Sequence, residues 1–423
     1  MSDLRIPRVV RKNPWMCATC KGVKHLCGVS PCPLIAEAAS LYNVRVQAGG
    51  SIYGSSPPSA FMGEAGYPVI MGGPLVPLDN GDTGIYEDSS KWIDLGFPKL
   101  IEMRLSLVRL MAKLDVHVKT NTGLLGRLQE VALGSRPVDV EARLGSPLSG
   151  RPSFSFYTPP MGSSVRLESI VYVSNPSVPK VVERVVGDRD LPAGEGVVKL
   201  WRSGVKVDHT QRLLSAGLLG RRRRLVPTRW SITAVDDVVS KRLIERIRSM
   251  PTLDVTMAGF HRALGNSFGV ILVGGRGWWY EMLESWAPYV GAASDESYLV
   301  PSDWEDHLGR STYASNLGGA YYAARLAVAS HLFSVNRQAG VFVFMEVDRE
   351  WLAPLGVWRV REGVKLALTK LRCFENTGAA LEHVMGLMKT SRLSWLRGST
   401  LLRQLLVTRT LDEFMGKVGW THG

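Results

Sequence analysis

The run Val341-Phe342-Val343-Phe344-Met345 decides the fold class of this chain. Five consecutive β-branched, aromatic and other apolar residues have the length and character of a strand buried on both faces. Residues 270–273 form an earlier run of this kind, and the pattern of residues 321–334, between the two runs, predicts a helix. The alternation of helices and strands favours a large mixed core of the α/β or α+β class.

In the rest of the chain, the local patterns that predict helices and strands are less clear than those of residues 270–345. Residues 101–114 repeat apolar side chains at helical spacing, which predicts a helix. Residues 168–174 and 197–201 are rich in β-branched side chains and predict strands. Residues 49–84 and 134–164 contain many Gly, Pro and Ser residues, a composition typical of loops.

The composition is that of a globular protein with a substantial core. The chain has 423 residues, of which 45% are hydrophobic and 21% are charged. No run approaches the roughly 18 apolar residues that a membrane span needs, and no apolar signal core follows the N-terminal basic residues. We therefore expect no membrane association and a cytoplasmic, nucleoid-associated protein.

The net charge of +13 favours a polyanionic partner, with DNA first among the candidates. The alternative is that the charge serves solubility alone. The densest basic stretch is Arg221-Arg222-Arg223-Arg224, followed by Arg229 and Trp230. Guanidinium groups match phosphate oxygens and an indole ring can stack on a base, so these six residues are candidate DNA contacts. The alternative for them is a solvated basic turn.

Four of the five cysteines are clustered, at Cys17, Cys20, Cys27 and Cys32. In a chain without export signals, such a cluster is typical of metal ligands, and four thiolates suit a tetrahedral, structural Zn²⁺. His25 is a spare ligand for a variant site. Disulfides, free thiols and an iron–sulfur cluster remain as alternatives.

Two acidic residues, Asp236 and Asp237, follow the basic stretch directly. Thr233 and Asp236 have the spacing of a capping arrangement for a new helix, and Asp237 can pair with Lys241 one turn on. The functional alternative is a catalytic pair that binds Mg²⁺ or Mn²⁺ beside a phosphate.

Two segments of small residues are candidate phosphate sites. Ser55 and Ser56 precede Pro57, where a helix cap would present N–H groups to a phosphate. Gly318 and Gly319 lead into the predicted helix and could hold a phosphate in the same way. For the first segment the alternative is a structural loop, and for the second it is a close contact between a helix and a strand.

Three features together resemble the archaeal Nre family of DNA-repair proteins. They are the early cysteine cluster, the run Ser55-Ser56-Pro57-Pro58-Ser59-Ala60-Phe61, and the block Arg224-Leu225-Val226-Pro227-Thr228-Arg229-Trp230-Ser231-Ile232-Thr233-Ala234-Val235-Asp236-Asp237. The resemblance covers nearly the whole chain. It implies a role in the repair of DNA damage and an association with the sliding clamp PCNA.

The C-terminal tail is consistent with clamp docking. A clamp-binding box has the pattern Gln-x-x-aliphatic-x-x-aromatic-aromatic, and residues 408–415 place Leu411 and Phe414 at the matching separation. Thr408 replaces the expected Gln, and Met415 replaces the second aromatic residue. The alternative is a terminal amphipathic helix that packs on the body.

These observations predict three parts: a zinc module over residues 1–40, a mixed core over 41–390 that is single or divides into two lobes near 220–250, and a short basic tail over 391–423 with the clamp motif. We expect a DNA-repair protein that binds DNA and is recruited by the clamp. Whether it also acts on DNA phosphodiesters is left open by the sequence. A metal-dependent nuclease, a nucleotide-processing hydrolase with a Gly-rich phosphate pocket, and a non-enzymatic scaffold that links clamp and DNA all remain open.

Overall fold

The computed structural model describes most of the chain. The described residues are Met16, Cys20, 24–29, Cys32, 50–77, 81–117, 123–146, 152–172, 174–286, 299–348 and 353–407. Within them two six-stranded mixed sheets are joined by helices. The predicted mixed core of helices and strands is therefore confirmed.

Sheet 1 is formed by the first half of the chain. Its strands are β1 Ser51–Ser56, β2 Ala60–Met62, β3 Val69–Pro77, β4 Leu107–Asp115, β5 Val138–Leu144 and β6 Ser164–Tyr172. They are ordered β1-β5-β6-β4-β3-β2. The β4–β6 pair is parallel and the other pairs are antiparallel. Helices α1 Phe97–Leu105 and α2 Leu124–Leu133 belong to this half, as do the 3-10 turns Gly84–Glu87, Ser89–Lys91 and Ile93–Leu95.

Four helices connect the two sheets. They are α3 Lys180–Gly187, α4 Ala193–Arg202, α5 Val207–Ser215 and α6 Thr228–Ile247. The longest, α6, begins after Pro227 and buries Val235, Val239 and Ile247 along one face, as the apolar spacing predicts.

Sheet 2 is formed by the second half. Its strands are β7 Thr256–Ala263, β8 Asn266–Val273, β9 Trp279–Trp286, β10 Ser302–Glu305, β11 Gly340–Val347 and β12 Arg372–Phe374, ordered β10-β9-β11-β8-β7-β12. Only the β9–β11 pair is parallel among the described strand pairs of this sheet. The helices of this half are α7 Gly319–Ser334, α8 Trp358–Leu368, α9 Thr377–Gly386, α10 Arg392–Gly398 and α11 Leu401–Val407.

The central strand of sheet 2 has both faces covered. In β11, Val341, Val343 and Met345 join the largest apolar cluster, whereas Phe342 and Phe344 join a second cluster under α9 and α10. Successive side chains of a strand point to opposite faces, so a continuous apolar run suits this position. The predicted strands at 270–273 and 341–345 and the predicted helix at 321–334 are confirmed as β8, β11 and α7.

Four sequence predictions of local structure are wrong in whole or in part. Residues 101–114 divide into the end of α1 and the strand β4, and residues 197–201 lie inside α4. The Gly- and Pro-rich residues 49–84 contain β1, β2 and β3, and residues 134–164 contain β5. In each case pairing with distant segments overrides the local composition. None of the helices in the described part of the chain has the length and apolar character needed to span a membrane.

Candidate nucleic-acid interface

The four consecutive arginines do not act as a unit. Arg223 adopts a positive φ of 44° and turns inward, where its guanidinium donates to the carbonyls of Val186 and Leu218. Arg221 donates to the Asp190 carbonyl at 2.7 Å. Arg222 and Arg224 are exposed, and their side chains form no hydrogen bond or ion pair with any described residue. Two of the four predicted contacts are thus available to a partner.

Arg224 extends the edge of sheet 1. Its backbone forms an antiparallel bridge with His117, and the Leu225 N–H donates to the Val116 carbonyl at 3.0 Å. The Val116 N–H donates in turn to Pro68 at 3.0 Å. The basic stretch, the end of β4 and the start of β3 are therefore adjacent.

An exposed aromatic pair lies beside this edge. The rings of Tyr67 and Trp230 are 5.5 Å apart, and both side chains are about half exposed, at 46% and 45%. Large aromatic side chains usually bury more of their surface than this. The sequence singled out Trp230 but missed Tyr67, because only the fold brings the two together.

The neighbouring strands carry mixed apolar and charged side chains outward. On β3, Val69 and Met71 are exposed while Ile70 between them is buried. Met71 is paired with Lys113 on β4, so both share this face. We call the face formed by the following residues the aromatic–basic surface: Tyr67, Val69, Met71, Lys113, His117, Arg222, Arg224 and Trp230.

Arg229 borders this surface and reaches into a neighbouring cavity. Its guanidinium carbon lies 3.9 Å from the Tyr157 ring centre, and it pairs with Glu64 at 3.0 Å. The cavity, of about 520 Å³, is also lined by Gly318 and Gly319 at the start of α7. Gly318 has a φ of 60°, and a Cβ there would lie 2.9 Å from the Tyr157 hydroxyl. A close contact with Tyr157 therefore explains Gly318, and phosphate binding at the two glycines stays a prediction.

The acidic pair lies in the middle of α6, since this helix begins at Thr228. The expected helix start near Thr233 is therefore wrong. Asp236 accepts hydrogen bonds from Gln211 and Arg361, whereas Asp237 accepts from Lys241 at 2.8 Å and from Arg325. The predicted pairing of Asp237 with Lys241 is confirmed.

The two carboxylates thus face different partners. Asp236 is fully buried, and desolvation raises its pKa to about 6 although Arg361 opposes the shift. Both groups have positive neighbours of their own, an arrangement that suits structural roles. A metal shared between Asp236 and Asp237 stays a prediction.

Ser55 and Ser56 end strand β1, and no helix begins there in the described structure. The predicted helix cap at Ser56 is wrong, because the chain continues through Pro57 and Pro58 into β2. The Ser56 hydroxyl is buried and donates to the carbonyls of Pro57 and Leu75. Ser55 is also buried, so neither hydroxyl is presented to solvent.

Behind this segment lies a small, partly enclosed cavity with a volume of about 80 Å³. We call it the arginine cavity. Its polar lining includes Ser59, Glu87, Arg104, Asp208, Arg212 and Arg361. Phe61 and Thr228 line it as well, so both long sequence runs that carry the family resemblance meet at its wall.

Three of the four clustered cysteines are described. Cys20 and Cys32 are buried, and Cys27 is partly exposed. Between them the chain turns through His25 and Gly28, which have positive φ angles of 50° and 74°. Among the described residues, no group of three or more His, Cys, Asp or Glu side chains is arranged to hold a metal ion. Cys17 lies outside the described residues, and so do the predicted clamp contacts Thr408, Leu411, Phe414 and Met415.

Comparison with known proteins identifies two family matches. The family model for the archaeal Nre N-terminal region matches residues 26–290, and the model for the archaeal Nre C-terminal region matches residues 305–414. No solved structure matches the chain.

Three archaeal proteins are similar over most of their length. The DNA repair protein NreB of Archaeoglobus fulgidus is 38% identical over 400 residues, which cover 94% of this chain and 100% of that protein. The DNA repair protein NreA of the same organism is 38% identical over 86% of this chain and 92% of its own length. The DNA repair protein NreA of Haloferax volcanii is 34% identical over 84% of this chain and 87% of its own length.

Proposed function

The chain belongs to the archaeal Nre family, and on that premise we propose that it is a DNA-repair protein that binds DNA through the aromatic–basic surface. The relatives named as DNA repair proteins support the repair role. The net charge of +13 supports a polyanionic partner.

One observation carries the proposal for the surface. The exposed pair Tyr67 and Trp230 lies at the edge that Arg224 extends, and the guanidinium groups of Arg224 and of Arg222, two residues earlier, have no partner among the described residues. Aromatic faces stack on bases of any sequence, and free guanidinium groups neutralise backbone phosphates. This combination favours single-stranded or frayed DNA, in which unpaired bases are accessible.

The decisive experiment measures DNA binding by fluorescence anisotropy over a range of salt concentrations. Arg222→Ala with Arg224→Ala should weaken binding of a single-stranded oligonucleotide and lower the salt slope by about one to two counterions. Arg242→Ala is the control, because Arg242 is a partly exposed arginine of α6 that pairs with Glu195 of α4 and Glu245 of α6. Equal effects of the two substitutions would refute a specific role of this surface.

We also propose that the clamp recruits the protein through Leu411 and Phe414. The spacing of these two residues supports the proposal, and the family match extends to residue 414. Removal of residues 408–423 should abolish binding to the sliding clamp in a pull-down while the unfolding temperature and DNA affinity stay the same. Leu411→Ala with Phe414→Ala should reproduce that loss. Clamp binding that survives both changes would refute the motif.

The four cysteines are proposed to bind one structural Zn²⁺. The donor set supports this, since the four cysteines fall within one short segment and the chain turns at His25 and Gly28 between them. Elemental analysis of protein produced with ample zinc should find about one ion per chain. Cys17→Ser with Cys20→Ser should lose the metal, whereas Cys373→Ser should retain it, because Cys373 is exposed on sheet 2. Absence of metal from the unmodified protein would refute the site.

A further inference from the structure

The arginine cavity contains an unusual concentration of buried positive charge. Arg104, Arg212 and Arg361 line it and are only 2%, 7% and 2% exposed. Arginine is almost never buried to this degree unless anions or other acceptors compensate its charge. The distribution of those anions around the cavity is therefore informative.

The carboxylates that compensate these three arginines are unevenly distributed. Arg361 pairs with three carboxylates: Asp208 at 2.7 Å, Glu362 at 3.2 Å and Asp236 at 3.3 Å. Arg104 and Arg212 share the single carboxylate of Glu87, at 3.3 Å and 3.7 Å. Their other described hydrogen bonds go to backbone carbonyls, which carry only partial charge, and the Arg104 guanidinium also lies 4.9 Å from the centre of the Trp92 ring. One end of the cavity thus has an excess of positive charge.

The pKa directions agree with this distribution. Desolvation lowers the pKa of Arg212 to about 10 and also lowers the pKa of Arg104, because Glu87 and, more weakly, Asp208 offset only part of the cost of burial. Burial opposes the charged form of Arg361 too, but Asp208 and Asp236 overcome it and raise the pKa of that guanidinium. The Arg104–Arg212 end is the end at which a further anion would be stabilised.

A hydroxyl without a partner also lines this cavity. Ser59 is 2% exposed, and its Oγ has no hydrogen-bond partner among the described residues. Buried polar groups are nearly always paired, so an unpaired one indicates a missing water, ion or ligand. The volume of about 80 Å³ is several times the roughly 10–15 Å³ that one water requires.

We propose that the arginine cavity binds a phosphate group, with Ser59, Arg104 and Arg212 as its donors. Guanidinium forks fit phosphate oxygens, and the Ser59 hydroxyl would gain the acceptor that it lacks. The phosphate belongs either to free phosphate or to the terminal phosphate of a DNA strand. The second source rests on the proposed DNA-binding function: Thr228 lines the cavity and is separated by one residue from Trp230 on the aromatic–basic surface.

The first experiment titrates the full-length protein with inorganic phosphate by isothermal calorimetry. We expect saturable binding and a phosphate-dependent rise in the unfolding temperature. Ser59→Ala should raise the Kd about tenfold or more, as expected for the loss of one hydrogen bond to a charged group. The substitution removes a hydroxyl that has no partner, so the protein should fold as well as before.

Ser285→Ala is the matched control, because Ser285 is a buried serine of sheet 2 that pairs with Thr390. It should lower the unfolding temperature slightly and leave the Kd for phosphate unchanged. The proposal would be overturned if the unmodified protein bound neither inorganic phosphate nor phosphorylated DNA ends. Equal phosphate affinity of the unmodified protein and Ser59→Ala would overturn it as well.

The second experiment compares oligonucleotides of one sequence that carry a 5′-phosphate, a 3′-phosphate or only hydroxyl ends. A preference for one phosphorylated end that disappears in Ser59→Ala identifies DNA as the source. Phosphate binding without an end preference identifies the free anion instead. Hydroxyl-ended DNA has no terminal phosphate, so its binding by the variant Arg222→Ala with Arg224→Ala tests the aromatic–basic surface alone. The DNA-surface proposal and the phosphate proposal can therefore fail independently.

Discussion

Sheet 1 and sheet 2 have the same number of strands, but the central strands of sheet 2 are buried on both faces whereas sheet 1 has a partly exposed face. In sheet 2, every residue of β8 and β11 is buried, because helices and apolar clusters cover both faces. In sheet 1, β3 begins with alternating exposed and buried residues, and β6 exposes four of its nine side chains. Tyr53, Met71 and Val171 are exposed on this sheet.

This difference suggests that sheet 2 contributes mainly to the stability of the fold and that the exposed face of sheet 1 is the one suited to binding a partner. A sheet covered on both faces has no surface to offer a large partner, whereas an open face can bind one without unfolding. Tyr67, Trp230 and Arg224 lie beside the start of β3 and the end of β4 in sheet 1. Substitutions in sheet 2 should therefore affect folding, and substitutions on the outer face of sheet 1 should affect binding.

The largest expected effect comes from the centre of sheet 2. Phe344 is fully buried between Phe342 and Trp395, so Phe344→Ala should lower the free energy of unfolding by about 3–5 kcal/mol. Tyr53→Ala, on the exposed part of sheet 1, should change it by about 0.5 kcal/mol or less. Urea unfolding measures both. Similar losses for the two substitutions would contradict the contrast between the sheets.

The next effect concerns Asp236, in the helix between the sheets. Its pKa in the folded protein is about 6, against 3.8 for the ordinary group, so the folded state binds more protons between these values. Its contribution to stability is therefore fully present below about pH 4 and lost as the pH rises to about 6.

Asp236→Asn removes this dependence. The stability of the unmodified protein relative to Asp236→Asn should decline between pH 4 and pH 6 by at most about 3 kcal/mol and then stay constant. Unfolding curves recorded at each pH test this. Parallel curves for the two proteins across the range would show that Asp236 titrates normally.

A smaller effect is expected for DNA affinity at the aromatic pair. Trp230→Ala should weaken binding of single-stranded DNA by about 1–3 kcal/mol, or roughly 5- to 150-fold, through loss of one stacking platform. Trp304→Ala is the control, since Trp304 is a comparably exposed tryptophan on sheet 2. If the two variants lose affinity equally, sheet 1 is not the preferred binding face.

The smallest effect belongs to the surface ion pair of Lys241 with Asp237. Lys241 is about half exposed, so Lys241→Ala should cost about 0.3–0.5 kcal/mol of unfolding free energy. The cost should vanish near 1 M salt, where screening removes exposed pairs. A loss that persists at high salt would indicate a packing role for the lysine stem.

The sequence predicts those features that depend on neighbours along the chain. The apolar runs at 270–273 and 341–345 are strands because a doubly buried strand needs no alternation, and Asp237 pairs with Lys241 because one helical turn separates them. The inward role of Arg223 was not predictable, since it depends on carbonyls of α3 and the turn that follows α5.

Both proposed binding sites depend on contacts between distant segments. Tyr67 is part of a candidate site because its ring lies next to Trp230, and Ser59 is part of one because it lines the same cavity as Arg104 and Arg212. No local pattern distinguishes Ser59 from the neighbouring serines at 55 and 56, although only Ser59 lines the cavity with an unpaired hydroxyl. The sequence prediction named Ser55 and Ser56, whereas the site proposed from the structure uses Ser59 of the same segment.

The buried carboxylate of Glu281 connects the C-terminal end of the described chain to the core and would transmit a force applied there. Glu281 of β9 accepts hydrogen bonds from the Ser399 hydroxyl and from the N–H groups of Thr400 and Leu401. Leu402 is fully buried beside them. Tension applied beyond residue 407 would therefore bear on a strand next to the centre of sheet 2, and α11 would detach only after these bonds broke together. Residues 399–401 would thus carry load from the C-terminal end of the described chain directly into sheet 2.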